Sequence, residues 1–445
     1  MDAYVILFLD YWCASFQVIQ KGDTERGEFM TYGYLLRDAG LDKSRVLVVG
    51  QGGNATGYAR VLESLAGYLK DDFDLVYFAI SDYGDVSRDT TWKLEINQML
   101  GDKYGCLQLP GLLRKYRPDL VLMCDDLGFY ELHEEALRHY EGITVVYCPI
   151  DTPVDSSRLR ALSYADVVVT YTHFGFNMVS QAFEQERSRG VHVGSPRMYI
   201  LPHGVETSQF YPLSSRPLQK QGLTRERRHA RMFMFPDRPE LQDAFIVLNA
   251  NRNGQRKRVD ITLEAFAEFA HGKPDVYLYL HMGMRDCGVD VLKLASEYGI
   301  MDRLLTTTRD RQRPRTNEID LNLIYNSADV GLNTSSGEGW GLVAFEHAAT
   351  GAAQVVPDHS ACGELWRAEG ICIPSKPETG NMPVVSAKTT AQVLEELYTS
   401  PVYLEDRSWQ AYQYATSLEW RWQEIAKRWK ELFHQELQRL EEKTH

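Results

Sequence analysis

Residues 337–351 read GEGWGLVAFEHAATG. Seven residues separate Glu338 from Glu346, and the glycines at 337, 339 and 341 crowd the first of the two. Just before, ADVGLNTSS brings the apolar Val330 and Leu332 to an end in Asn, Thr and Ser, which predicts a strand running into a loop. LVAFEHAAT then places helix formers and apolar residues at helical spacing. Glu338 thus falls in the loop and Glu346 in the helix. The helix N-terminus, with bare amides and a positive dipole end, points at whatever fills the loop. Glycines there let a ligand lie against the backbone. Carboxylates only accept hydrogen bonds, so they suit sugar and ribose hydroxyls, which donate them. The stretch therefore reads either as an anion site with a carboxylate on each side, or as a glutamate answering the helix dipole and a second one in solvent.

Working outward, apolar runs alternate with helical patterns along the whole chain. YVILFL, RVLVVG, DLVYFAI, PDLVLMC, ITVVYCP, DVVVTY and YILP occupy the first half, and AFIVLNA, VYLYLHM, a weak RLLTT, DVGLN and AAQVVP the second. Strands that are apolar on both faces, set between helices, predict buried parallel sheets covered by helices. Between the halves lies a stretch without strand character, rich in Pro, Arg and Lys, with six basic residues from Arg216 to Arg231. It is expected to be a solvated linker over 214–243. That divides the chain into a first domain over 1–213, with a 1–44 extension, a second over 244–416, and a C-terminal helix over 417–445. In this last segment Leu418, Trp422, Ile425, Trp429 and Phe433 form one stripe, expected to dock on the body of the protein.

The 445 residues are enough for two or three domains with full cores. A net charge of -13 argues against a general nucleic-acid binder, so a nucleotide ligand would need a local basic cluster. The seven cysteines are scattered and form no CxxC, which predicts reduced thiols, a cytoplasmic setting and no zinc site. No apolar run reaches membrane-spanning length, and the N-terminal residues lack the basic start of a signal peptide. Peripheral contact with a membrane stays open.

Two strand-to-helix turns offer phosphate chemistry. RVLVVGQGGNATGYARVL contains Gly50-x-Gly52-x-x-Ala55, a match to the dinucleotide fingerprint. The acid that would bind ribose, Asp82, lies 30 residues beyond Gly52, where about 20 are expected. Gly52 and Gly53 equally suit a floor beneath any polar donor at the sheet's carboxyl edge. In the second half NRNGQRKRVD follows AFIVLNA and sets Arg252, Arg256, Lys257 and Arg258 just ahead of a helix. Four cations beside one glycine suit a diphosphate seat or a solvated loop. This turn and GEGWG both end strands of the second half, so they can face one crevice.

Taken together these residues resemble the retaining glycosyltransferases of GT-B fold, glycosyltransferase family 4 in particular. GEGWGLVAFEHAATG is similar to that family's E-x7-E element, and Arg252 and Lys257 to its Arg-x4-Lys phosphate element. LPHGVETSQFYP resembles the segment that closes the N-terminal domain, and SACGELW the Gly-Glu after the last central strand. The resemblance implies two doubly wound, Rossmann-like α/β domains facing a cleft, with a C-terminal helix crossing back to the first. It further implies transfer of a sugar from a UDP- or GDP-linked donor to a hydroxyl acceptor (glycan, lipid or small molecule), with no cofactor and no metal. Glu338 would bind donor-sugar hydroxyls, and Gly339, Trp340, Gly341 and Leu342 would lie near the diphosphate. Glu346 would accept from the ribose, Arg252 and Lys257 would neutralise the leaving diphosphate, and His203 would line the donor site.

One departure concerns YCPIDTP, where Ile150 replaces the family's histidine and Asp151 remains as the cleft residue. Residues 1–44 have no counterpart in the resemblance. The DFD at Asp72–Asp74 precedes a strand and reads as a turn. Two alternatives stay open: a nicotinamide-dependent oxidoreductase using the Gly50 turn, and a non-catalytic nucleotide-sugar sensor.

Overall fold

Runs of Val, Leu, Ile and aromatic residues with no polar alternation become the strands of two parallel sheets. The computed structural model describes residues 43–52, 56–80, 92–99, 101–213, 220, 223–311, 314, 316–377 and 382–444. Gly53, Ala55, Asp82, YVILFL and nearly all of the 1–44 extension lie outside the described residues. The first sheet contains β1 (Arg45–Gly50), β2 (Asp74–Ala79), β3 (Lys93–Ile96), β4 (Leu120–Cys124), β5 (Ile143–Cys148), β6 (Val167–Thr170) and β7 (Arg197–Ile200). The second contains β8 (Phe245–Asn249), β9 (Val276–Leu280), β10 (Leu304–Thr306), β11 (Val330–Leu332), β12 (Ala353–Pro357) and β13 (Ile371–Ile373). The helices that matter here are α1 (Gly57–Leu69), α2 (His173–Ser188), α3 (Leu223–Met234), α4 (Val259–Ala270), α5 (Glu318–Ser327), α6 (Leu342–Ala349), α7 (Ser360–Trp366) and α8 (Trp422–Thr444).

Strand order is 3-2-1-4-5-6-7 in the first sheet and 10-9-8-11-12-13 in the second. Every pairing within these two sheets is parallel. Order reverses between β1 and β4, and again between β8 and β11. In doubly wound sheets such a switch point opens a crevice beyond the carboxyl ends of its two strands. The loops after β8 and β11 are NRNGQRKR and TSSGEGWG. Both motifs read from the sequence thus flank one switch point. Two strands of these sheets were not legible: β3 carries Lys93 and Glu95 on a sheet edge, and β13 is three residues long.

The C-terminal helix crosses back as expected. Trp422, Ile425, Trp429 and Phe433 are buried. The Trp429 ring meets Tyr147 of the first domain at 4.8 Å, and Phe433 meets Phe73 at 5.6 Å. Leu418 does not belong to the stripe: it lies in a 3-10 turn before the helix and is 65% exposed.

The linker expectation needs a correction as well. Its second part forms α3, which packs against α5, and Arg227 and Arg231 are buried rather than solvated. Arg231 donates to Ser327 O at 2.8 Å, Ala244 O at 2.7 Å and Asp329 Oδ2 at 2.6 Å. Composition reports the charge of such a helix but not the direction its cations face; here they satisfy carbonyls at the ends of α5 and before β8.

Candidate active site

The switch points of the two sheets face one another across a cleft with a cavity of about 290 Å3. On the second-domain side, β8 runs into a turn that carries Arg256 and Lys257, and α4 follows at once. Lys257 Nζ lies 2.5 Å from Glu338 Oε1, and Arg256 Nη1 lies 3.3 Å from Glu338 Oε2. Asn333 Nδ2 donates to Glu338 Oε1 at 3.1 Å, and the Glu338 amide donates to Ser360 Oγ at 3.0 Å. Burial pushes the Glu338 carboxyl up, but Lys257 and Arg256 outweigh it and hold the pKa down to about 2. For Lys257 burial is the largest influence and lowers its pKa, opposed by Glu338. We take the pair as ionised, because a buried carboxylate flanked by two cations gains more than desolvation removes.

The first domain closes the cleft from the other side. Asp151 Oδ2 lies 2.9 Å from Arg256 Nε, so Arg256 bridges a carboxylate from each domain. Burial raises the Asp151 pKa while Arg256 draws it down. A Cβ on Gly337 would sit 2.2 Å from Asp151 O, so the backbones approach too closely for any side chain there. Ile150, which precedes Asp151, is a buried packing residue. Tyr58 Oη donates to Asp126 Oδ1 at 2.7 Å on the same wall.

The residues singled out from the sequence are not all placed alike. Lys257, Glu338, Asp151, Gly339, Trp340, Gly341, Leu342 and His203 line the cavity. Within it His203 Nδ1 lies 2.7 Å from Tyr147 Oη, and burial lowers its pKa to about 3, so it is neutral. Trp340 stacks on Phe345 at 4.9 Å and is itself buried, which makes it part of the wall rather than a reaching side chain. Gly52 is buried just beyond β1.

Arg252 also lines the cavity, but its guanidinium is paired to Asp286, with Nε 2.6 Å from Oδ2. The arginine that reaches Glu338 is Arg256. Motif spacing identified the turn but not which of its side chains points inward. Arg258 pairs with its own neighbour Asp260. Glu346 lies one turn into α6 and lines an adjoining cavity of about 380 Å3 between α1, α6 and Trp422. Tyr325 Oη donates to its Oε2 at 2.8 Å, and Arg60 Nη1 of the first domain lies 2.8 Å from its Oε1. Sequence reasoning missed Arg60, Tyr58 and Asp126. Asp126 had a readable signal, following an apolar strand at its carboxyl end, whereas Arg60 is an ordinary helix residue until the domains are brought together.

The Gly50 turn is described only over residues 50–52. A Cβ on Gly50 would sit 2.3 Å from Leu62 Cδ1 and 2.8 Å from Cys124 O, so this glycine serves helix–strand packing. The following helix starts only at Gly57, capped by Thr56. DFD lies at the amino end of β2, where Asp72 pairs with Lys430 and Asp74 with Arg45. Among the described residues no group of His, Cys, Asp and Glu is arranged to hold a metal ion, and no helix is long and apolar enough to cross a membrane.

The sequence matches no model of a known protein family and no curated protein. Solved structures do resemble it. Sucrose-phosphate synthase from Thermosynechococcus elongatus superimposes with a TM-score of 0.66 at 18% identity, over 88% of this chain and 99% of that one. Anabaena Alr3699/HepE, solved with UDP and glucose, gives 0.65 at 14% identity, over 88% and 100%. An α,α-trehalose-phosphate synthase (UDP-forming) from Burkholderia vietnamiensis gives 0.62 at 13%, over 89% and 98%. At such identities the likeness is one of fold, and the fold is GT-B.

Proposed function

We propose that this chain is a retaining, metal-independent glycosyltransferase of the family 4 type, acting in the cytoplasm. It would move a hexose-type sugar from a UDP- or GDP-linked donor to a hydroxyl of a glycan, lipid or small molecule. The observation that carries this reading is Glu338, held in the interdomain cleft by Lys257 and Arg256 at the switch point of the second sheet. The solved likeness of Anabaena HepE with UDP and glucose supports the choice of donor class.

In the reaction the bond between the anomeric carbon and the diphosphate oxygen breaks with its electron pair passing to the diphosphate. The acceptor oxygen bonds to the same carbon from the same face, and its proton passes to the leaving phosphate. Lys257 and Arg256 stabilise the charge that develops on the diphosphate, as fixed cations already set in place. Glu338 accepts from donor-sugar hydroxyls and fixes the sugar against the attacking face. Glu346 accepts from the ribose hydroxyls at the oxygen that Arg60 holds. Asp151 faces the acceptor side and orients the incoming hydroxyl.

Thermal denaturation with UDP, GDP and NAD added separately tests the reading. A nucleoside diphosphate should raise the melting temperature and NAD should leave it unchanged. Stabilisation by NAD alone would instead favour the oxidoreductase.

A further inference from the structure

Arg60 stands on the first turn of α1, and its backbone amide donates to Thr56 O at 3.2 Å. The first turns of α1 and α6 touch, since a Cβ on Gly57 would lie 3.3 Å from Leu342 Cδ1. This contact brings a first-domain guanidinium against a second-domain carboxylate: Arg60 Nη1 is 2.8 Å from Glu346 Oε1, with side-chain exposures of 15% and 7%. Arg60 lines both the cleft cavity and the adjoining cavity that Glu346 lines.

We propose that Arg60 is a donor-binding residue contributed by the first domain, which passes from Glu346 to the donor diphosphate when the nucleotide enters. The inference rests on the cleft being a nucleotide-sugar site. Its basis is charge balance. Arg252 is paired with Asp286, Arg256 with Asp151 and Glu338, and Lys257 with Glu338. A diphosphate entering this cleft brings negative charge that these already matched cations meet only in part. Ribose hydroxyls arriving at Glu346 displace Arg60 from that carboxylate. A buried guanidinium deprived of its carboxylate is strongly unfavourable, so it is driven to the nearest new anion. The diphosphate lies on the cavity that Arg60 already borders, and the planar fork of a guanidinium suits it. Donor binding is thereby coupled to domain closure, because the cation comes from the opposite domain.

The test compares wild type, Arg60→Gln and Arg60→Lys for affinity toward UDP and GDP and toward the bare nucleosides uridine and guanosine, measured by thermal stabilisation. For whichever diphosphate wild type binds, Arg60→Gln should weaken binding roughly 10- to 100-fold, the range of one lost charge-assisted hydrogen bond. The matching nucleoside should bind no more weakly than to wild type, since it has no phosphate to lose and Glu346 is left open to it. Arg60→Lys should recover much of the diphosphate affinity. Equal weakening of nucleoside and diphosphate, or no weakening of either, would overturn the role of Arg60 while leaving the cleft assignment standing. Failure of wild type to bind any nucleoside diphosphate would overturn the cleft assignment and the role of Arg60 with it.

Discussion

Glu338 and Lys257 come from loops 81 residues apart, yet their side chains meet at 2.5 Å beneath the cleft. The pair exists because β8 and β11 are neighbours at the switch point, so the turn after one faces the turn after the other. Loss of Lys257 removes a cation from the diphosphate and also strips a partner from a buried carboxylate.

Lys257→Ala should therefore lower turnover about 100-fold, the loss of roughly 3 kcal/mol of stabilisation of developing charge. It should also destabilise the fold by about 1–3 kcal/mol, since Glu338 keeps only part of its compensation. The double variant Lys257→Met with Glu338→Gln should regain stability without regaining activity. Steady-state kinetics and urea denaturation of the three proteins check this. Near-normal turnover of Lys257→Ala would remove the turn from the active site.

The two glutamates should divide their work. Glu346→Gln should raise KM and weaken nucleoside diphosphate binding roughly tenfold, because ribose hydroxyls are held before and during reaction alike. Glu338→Gln should depress kcat about 100-fold with nucleoside diphosphate binding nearly unchanged, because the sugar moves relative to the diphosphate as the bond breaks. Calorimetry and kinetics on both variants separate the roles, and equal losses of nucleotide affinity would contradict the division.

These loops were legible because their chemistry is contiguous: glycines, carboxylates and cations stand close together at strand ends, where apolar runs stop. The core strands were legible for the same reason, each being a short uninterrupted apolar run. What could not be read was direction and long-range partnership. The resemblance pointed to Arg252, whose guanidinium pairs with Asp286, whereas Arg256 is the arginine that reaches Glu338. Arg227 and Arg231 looked like solvent-facing charge until α3 was seen packed on α5. The partnership of Arg60 with Glu346 depends on how two domains meet, which no local pattern encodes.

Chelation should leave activity intact. Lys257 and Arg256 supply the positive charge of the cleft, and DFD is held in ion pairs with Lys430 and Arg45 at the amino end of β2, away from the carboxyl edge that bears the site. Assay with excess EDTA should match the untreated enzyme. A loss restored by manganese or magnesium would contradict the metal-free mechanism.

Acid should destabilise the fold in two stages. His203 and His347 both have pKa values lowered by burial from 6.5 to about 3. The unfolded chain takes up these protons first, so stability falls as pH drops below 6.5, by about 1.4 kcal/mol per pH unit for each histidine. Below 4.5 the Glu338 carboxylate adds to the loss, since its folded pKa is about 2. Denaturant unfolding across this range should show His203→Gln with a shallower slope than wild type between pH 6 and 4, and equal slopes would contradict the burial of a neutral imidazole.

Release of free nucleoside diphosphate, measured for wild type and Glu338→Gln against a panel of UDP- and GDP-hexoses with simple hydroxyl acceptors, tests the central claim most directly. At least one donor should be consumed by wild type in the presence of EDTA, with acceptor-dependent release of diphosphate that Glu338→Gln loses. Absence of release from every donor would contradict sugar transfer, and release unaffected by Glu338→Gln would contradict the site.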